Sequence, residues 1–354
     1  MLYNCGVKAA TSDFQEYLQS SSGEIKKELT SYLSLWEEKT IKSSPDLQQP
    51  LNQFISRTFG GKMLRGTLVK LGYELITNTS AHSILKPACA YEIIHTALLT
   101  HDDIIDQSSM RRGQPALHLL QKDKHYGISL ALCLGDLGLL LATNMVSESD
   151  FPEKEKMKAL NNFLQIITDT VLGEMLDVKA SHSITRTEKQ ILQIHEKKTA
   201  QYTITGPLSL GAILAGASDT QLRYINEFGK PLGIAYQLHD DLLGIFADKK
   251  VVGKSVTSDI EENKSTLLIV YAQQHATEKQ QEIIKKYYGK KNITADQHEQ
   301  IKKVFENSGA LSYSREKIAS LSRQAKAIVP EITNDKKSQL LLLQLADLAT
   351  TREK

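Results

Sequence analysis

Between Ile84 and Asp106 the chain carries an apolar run at helical spacing whose last part, His95 to Asp106, reads HTALLTHDDIID. No other stretch limits the fold as much. At helical pitch Asp102 and Asp106 stand one turn apart on one face, with Asp103 beside them. Three acids at the end of a greasy helix repel one another unless water or positive charge lies between them. Two readings fit: a solvated acidic helix end, or a seat for a hard cation such as Mg²⁺. Mg²⁺ takes oxygen ligands and commonly adds a substrate phosphate to one or two carboxylates. The pattern returns in Gln237-Leu238-His239-Asp240-Asp241, again after an apolar helical run, Phe228 to Tyr236. Two such ends can face each other across a bundle core, as in helical carboxylate metal sites.

Helical periodicity extends over nearly the whole chain. It predicts helices over Phe14 to Lys42, Leu47 to Phe59, Lys62 to Leu75, Ile84 to Asp106, Leu117 to Ser147, Lys154 to Val178 and Thr187 to Leu214. Asp219 to Phe246, Ser265 to Tyr287, Ala295 to Asn307, Leu311 to Val329 and Lys336 to Thr350 complete the set. There is no convincing strand alternation, tandem repeat or long Pro/Gly/Ser linker. One all-α domain over residues 1–354 is the economical reading. Forty-three basic against 41 acidic residues give a net charge of +2, which argues against nucleic-acid binding by bulk charge and for locally placed charges. Cys5, Cys89 and Cys133 are scattered and odd in number, suiting neither a disulfide framework nor a zinc site. Residues 1–13 lack a basic start followed by an apolar run. Leu130 to Ala142 is interrupted by Asp136 and too short to span a bilayer. A cytoplasmic protein without a signal peptide or transmembrane segment is expected.

Cationic residues accompany both acidic clusters. Gly61-Lys62-Met63-Leu64-Arg65 sets two cations one turn apart at a helix start, where free N–H groups and the dipole attract anions; a solvated first turn has the same look. Arg111-Arg112-Gly113 follows the first cluster, and guanidinium forks suit phosphate oxygens. Lys198, in Lys197-Lys198-Thr199, either points inward or snorkels to solvent. Gly253-Lys254 and Asp259 to Lys264 form a basic loop after the second cluster, a lid or an ordinary connection.

In this order the motifs resemble the trans-isoprenyl diphosphate synthases, or polyprenyl synthetases, over a motif-bearing core of about residues 60–268. The resemblance implies a single large helical bundle of the class I terpenoid synthase type with a central active-site cavity, working as a homodimer. It implies Mg²⁺-dependent condensation of isopentenyl diphosphate with an allylic diphosphate (dimethylallyl, geranyl or farnesyl). Three ions are implied, with Mn²⁺ as a substitute. Asp102, Asp103 and Asp106 would hold two ions, Asp240 and Asp241 a third, and Asp177 matches an acid near the metals. Lys62, Arg65, His95 and Arg112 match positions that bind isopentenyl diphosphate; His95 alone would read equally as a core histidine. Arg111, Lys198 and Lys254, with help from Lys264, match the clamp on the allylic diphosphate. Thr199 and Gln237 would turn oxygens toward the forming allylic cation.

Three departures stand out. Gly244 occupies the place of a third Asp in the second motif, for which Asp248 could compensate; Glu174 replaces a common Gln, and Tyr236 a Phe. For product length, Ala97 leaves the tail path open where short-chain members often carry aromatics. Tyr91, about 16 Å above Asp102 along the helix, is either a floor that favours a C20 product, geranylgeranyl diphosphate, or only a core residue, in which case longer chains follow. Two rival readings are a class I terpene cyclase, which needs no isopentenyl diphosphate site, and a non-catalytic subunit of a heteromeric synthase, which would be expected to lose its acidic motifs.

Overall fold

A computed structural model describes residues 13–182, 186–247 and 257–351. Helices α1 (Asp13–Ser43), α2 (Gln48–Thr58), α3 (Leu64–Thr77), α4 (Leu85–Ile105), α5 (Lys124–Ser147) and α6 (Glu153–Ser181) follow one another through short connections. Next, α7 (Glu188–His195) runs through a π-helical segment (Glu196–Thr205) straight into α8 (Gly206–Leu214). The remainder is α9 (Asp219–Phe246), the single turn α10 (Ser258–Glu261), α11 (Leu267–His275), α12 (Glu278–Tyr287), α13 (Ala295–Asn307), α14 (Ala310–Ile332) and α15 (Lys336–Thr351). Among the described residues the only strands are β1 (Met110–Arg111) and β2 (Gln114–Pro115). The all-α expectation holds.

Departures from the expected boundaries have local causes. The helix expected from Leu117 begins at Lys124, where Asp123 accepts the Tyr126 N–H as an N-cap. The helix expected over Ser265 to Tyr287 splits at Thr277, whose capping box with Gln280 starts a new one. Periodicity over Thr187 to Leu214 reads as a single α-helix; the structure inserts the π segment, where the helix widens. Glycines on both neighbours leave room for it. A Cβ on Gly173 of α6 would lie 2.3 Å from the Lys198 nitrogen, and one on Gly233 of α9 would lie 2.4 Å from the Ala200 Cα.

Helix α4 is buried along most of its length, from Leu85 to Ala97, and α5 lies against it. They pack tightly at Gly138, where an added Cβ would sit 2.8 Å from the Ala97 Cβ and 2.7 Å from the Phe54 ring. A first core cluster gathers around α4 (Ile25, Phe54, Tyr91, Ile94, Phe163, Leu210). A second joins α7, α9 and α11 to α14 (Ile191, Leu238, Leu268, Phe305), and a third packs α3, α8 and α9 against α14 and α15 (Leu71, Leu208, Phe228, Leu342). Contrary to the sequence reading of Leu130 to Ala142, α5 is by length and composition long and apolar enough to cross a membrane. The helix continues beyond both ends of that short run, and it packs on α4. Its outward Leu132 and Leu140, with Leu164, Val171, Leu172 and Met175 of α6, leave apolar side chains exposed.

Candidate active site

The three acids that end α4 divide by direction. Asp102 and Asp106 face a cavity of about 580 Å³, while Asp103 is buried and turned away from it. A 100° turn per residue separates neighbours that a four-residue step aligns. Directly after the helix, β1 and β2 form a hairpin with Met110 opposite Pro115 and Arg111 opposite Gln114. Arg112 (φ 53°) and Gly113 (φ 74°) make its two-residue loop, both in the left-handed region that a type I′ turn requires. The turn sends the tandem arginines in different directions. Arg111 donates to Asp103 Oδ1 (2.7 Å) and Asp102 Oδ2 (2.9 Å). Arg112 lies over Gly60 and Gly61, either of whose added Cβ atoms would come within 3.3 Å of the guanidinium, and its Nη2 is 3.2 Å from His95 Nε2.

Across the cavity, Glu174 and Asp177 of α6 face the end of α4. Ligand oxygens of Asp102, Asp106 and Glu174 all lie within 4.8 Å of one another. Lys198 reaches this cluster from the π segment, with Nζ 2.8 Å from Glu174, 2.7 Å from Asp177 and 3.5 Å from Asp102. Burial alone would lower the Lys198 ammonium, but the surrounding carboxylates outweigh it and hold the group well above the usual lysine range. Glu174 shows the complement: burial, helped by Asp102 and Asp177 against Lys198, pushes its carboxyl up to about 7. The donor set suits a hard divalent cation. It is all oxygen, it is spaced so that modest side-chain movement closes it on one ion, and it already gathers positive charge.

The second motif divides in the same way. Asp240 faces the cavity; Asp241 is 2% exposed and behind it, with Oδ1 accepting from Gln237 Nε2 (2.9 Å) and Oδ2 3.2 Å from His195 Nε2. Burial would raise the Asp241 carboxyl, but His195, Lys264 and Gln237 keep it below its ordinary value. Gln237 Oε1 in turn accepts from the Thr199 hydroxyl (2.8 Å). Over Gly244 lies the carboxylate of Asp259, with Oδ2 2.1 Å from where a Cβ would stand. Asp259 also pairs with Lys264 (3.7 Å). The place of the absent third Asp is therefore filled from α10. Lys254 and Asp248 lie outside the described residues.

At the other end the cavity becomes basic. Helix α3 starts at Leu64 rather than at Lys62, because Met63 takes a left-handed conformation (φ 56°). Lys62 is thus exposed in the turn ahead of it, and Arg65 is buried in the first turn. Arg65 donates to Tyr202 and Thr203 (both 2.9 Å) and stacks over the Tyr202 ring at 4.4 Å. Burial, together with Arg65, Arg112 and Arg111, holds the His95 imidazole well below its ordinary range. Beneath it Glu92, buried in α4, accepts the Gly66 N–H at 2.7 Å, setting a carboxylate against the N-terminus of α3. Arg112 borders a smaller adjoining cavity of about 120 Å³.

Of the residues singled out in the sequence, Arg65, His95, Asp102, Asp106, Arg111, Asp177, Lys198, Thr199, Gln237, Asp240 and Lys264 line this same cavity. Asp103 and Asp241 instead brace their neighbours. Tyr91 is not at the wall: it lies in the core, edge-on to Phe163 with centroids 5.2 Å apart. The gap expected at Ala97 is closed where Gly138 of α5 packs against it beside Phe54, while its neighbour Leu98 lines the cavity. Sequence reasoning missed His195, Tyr202 and Asp259 as site residues, and noted Glu174 only as a departure.

The polyprenyl synthetase family model matches residues 45–307. A geranylgeranyl diphosphate synthase of Sulfolobus acidocaldarius is 35% identical over 237 residues, 66% of this chain and 70% of that protein. A short chain isoprenyl diphosphate synthase of Methanothermobacter thermautotrophicus is 31% identical over 300 residues, 84% and 88%. The solved geranylgeranyl pyrophosphate synthase of Corynebacterium glutamicum, complexed with isoprenyl diphosphate and magnesium, superposes with a TM-score of 0.89 at 26% identity, covering 94% of this chain and 99% of that one.

Proposed function

Since the chain belongs to the polyprenyl synthetase family and is a prenyl diphosphate synthase, we propose that it joins isopentenyl diphosphate to an allylic diphosphate with Mg²⁺, giving geranylgeranyl diphosphate. One observation carries this reading: one cavity has an acidic wall with embedded cations at one end and Arg65 and His95 at the other, with apolar surface between, and Arg112 borders the smaller cavity beside it. Two diphosphates can be told apart there, and only one of them meets the acids.

Asp102, Asp106, Glu174 and Asp240 would hold the ions, which supply positive charge to the leaving diphosphate. Arg111 and Lys198, already placed against the acids, clamp the same diphosphate from the protein side. Arg65, Arg112 and His95, with Lys62 from the turn, receive isopentenyl diphosphate. Its dianion offsets the cations around His95 and so favours imidazole protonation on binding. As the allylic C–O bond breaks, its electron pair leaves with the diphosphate, and the isopentenyl double bond attacks the cation. A proton then leaves the new chain, with the departing diphosphate as the nearest base. Leu98, Leu99 and Leu243 keep water from the cation.

The relatives named as geranylgeranyl synthases support a C20 product. The exposed apolar side chains of α5 and α6 support a homodimer built on that face. Purified protein with Mg²⁺, labelled isopentenyl diphosphate and dimethylallyl, geranyl or farnesyl diphosphate tests the proposal. Chain extension is expected, whereas a hydrocarbon from one diphosphate alone would mean a cyclase, and silence a non-catalytic subunit. Asp102→Ala should abolish turnover and Lys62→Ala should mainly raise the KM for isopentenyl diphosphate.

A further inference from the structure

A polar train runs from the end of α7 through α9 and back to the π segment. His195 Nε2 stands 3.2 Å from Asp241 Oδ2, Gln237 Nε2 donates to Asp241 Oδ1 at 2.9 Å, and Thr199 Oγ1 donates to Gln237 Oε1 at 2.8 Å. We propose that His195 is a positioning residue that fixes Asp241 and, through this train, aims the Thr199 hydroxyl; the functional part of this inference rests on the prenyl transfer proposed above.

The direction of the train follows from donor chemistry. An ionised carboxylate only accepts, so the Gln237 amide must turn its NH₂ toward Asp241 and its carbonyl toward Thr199. Thr199 must then donate to that carbonyl, which leaves its lone pairs as the part of the hydroxyl free to face the cavity. If Asp241 rotates, nothing compels this order: the amide can flip, and Thr199 can present its proton instead. A proton aimed at a developing allylic cation repels it, whereas lone pairs attract it. Asp241 is 2% exposed; its Oδ2 has no aligned hydrogen bond among the described residues, and the His195 ring, 3.2 Å away, is the ion-pair partner set against it. His195 is itself 4% exposed and is the last residue of α7 before the helix widens. Its ring therefore ties α9 to the start of the segment that carries Lys198 and Thr199. Arg65 and Arg112 lie at the other end of the cavity, so isopentenyl diphosphate binding should not sense the change.

The test compares His195→Phe with His195→Gln, whose side-chain NH₂ can reach the same carboxylate oxygen. For His195→Phe, kcat should fall about ten-fold, the scale of one charge-assisted hydrogen bond. The KM for isopentenyl diphosphate should stay within about two-fold. The share of allylic substrate appearing as prenyl alcohol should rise as the poorly held cation is lost to water. His195→Gln should restore most of kcat and the low alcohol share. Ligand-free neutron crystal structures give a readout independent of turnover: the Thr199 deuteron should point at Gln237 in His195→Gln, as the 2.8 Å contact of the wild type requires, and turn away from it in His195→Phe. Thermal melting identifies a variant that merely unfolds. The proposal is overturned if Thr199 still donates to Gln237 in His195→Phe, or if kcat and Tm fall together in both variants with the alcohol share unchanged. A wild-type protein that condenses nothing sinks the proposed function, while the two crystal structures still decide the train.

Discussion

Glu174 offers the sharpest test of how the acidic wall holds metal. Its carboxyl is pushed up to about 7 by burial, then by Asp102 and Asp177, against the opposing pull of Lys198. To ligate an ion it must be ionised. Proton and metal therefore compete, and affinity must rise with pH. For a group titrating near 7 about nine-tenths are ionised at pH 8 and about one-tenth at pH 6. This group alone should then weaken the apparent Kd for Mg²⁺ or Mn²⁺ about ten-fold between pH 8 and pH 6. At pH 7 each bound ion should release about half a proton. Calorimetry in two buffers of different ionisation enthalpy measures the release, and Mn²⁺ electron paramagnetic resonance measures the Kd. Glu174→Gln should bind more weakly throughout and lose most of the pH dependence. If the wild type shows a flat Kd from pH 6 to 8, or the slope survives in Glu174→Gln, the carboxyl is not a ligand and the reasoning fails.

Restoring the motif's missing acid should harm the protein. Gly244→Asp drives a Cβ into the Asp259 carboxylate, 2.1 Å away, and sets a like charge beside it. A Tm lower by a few degrees and a reduced kcat are expected, and increased activity would contradict the assignment. Product length should answer to Leu98, lengthening in Leu98→Ala and shortening in Leu98→Phe by chromatography of the hydrolysed products. Tyr91→Ala should leave that distribution unchanged while costing about 3–5 kcal/mol of stability in denaturant unfolding, as aromatic deletions in a core do.

The residues that carry charge were visible in the sequence because their spacing is short and local. Asp102 and Asp106 follow an apolar run at a four-residue step, and Arg111-Arg112-Gly113 announces a turn. Which member of each aspartate pair faces the cavity depends on partners outside the helix that carries the pair. Asp103 is settled by Arg111 across a hairpin, and Asp241 by His195, 46 residues earlier in numbering. Asp259 could not be connected to Gly244 from spacing, because a close approach between α9 and α10 decides it. The openness expected at Ala97 failed for the same reason: a small side chain makes space only when the facing helix leaves it empty, and Gly138 lets α5 fill it. The π segment was hidden because its residues keep a roughly helical apolar rhythm.

That widened segment also sets the phase of a single long rod. Upstream, Ile191 points into the core shared with α11 to α14; downstream, Leu208 and Leu210 serve the two cores packed around α3 and α4. A uniform α-helix advances 100° per residue, so excising one residue anywhere between Glu196 and Thr205 would rotate the downstream half by more than a quarter turn. Whichever half kept its seat, the other would present the wrong side chains to its neighbours. The rod behaves as a gear with two meshes, and a change in the count of its teeth would disengage one of them.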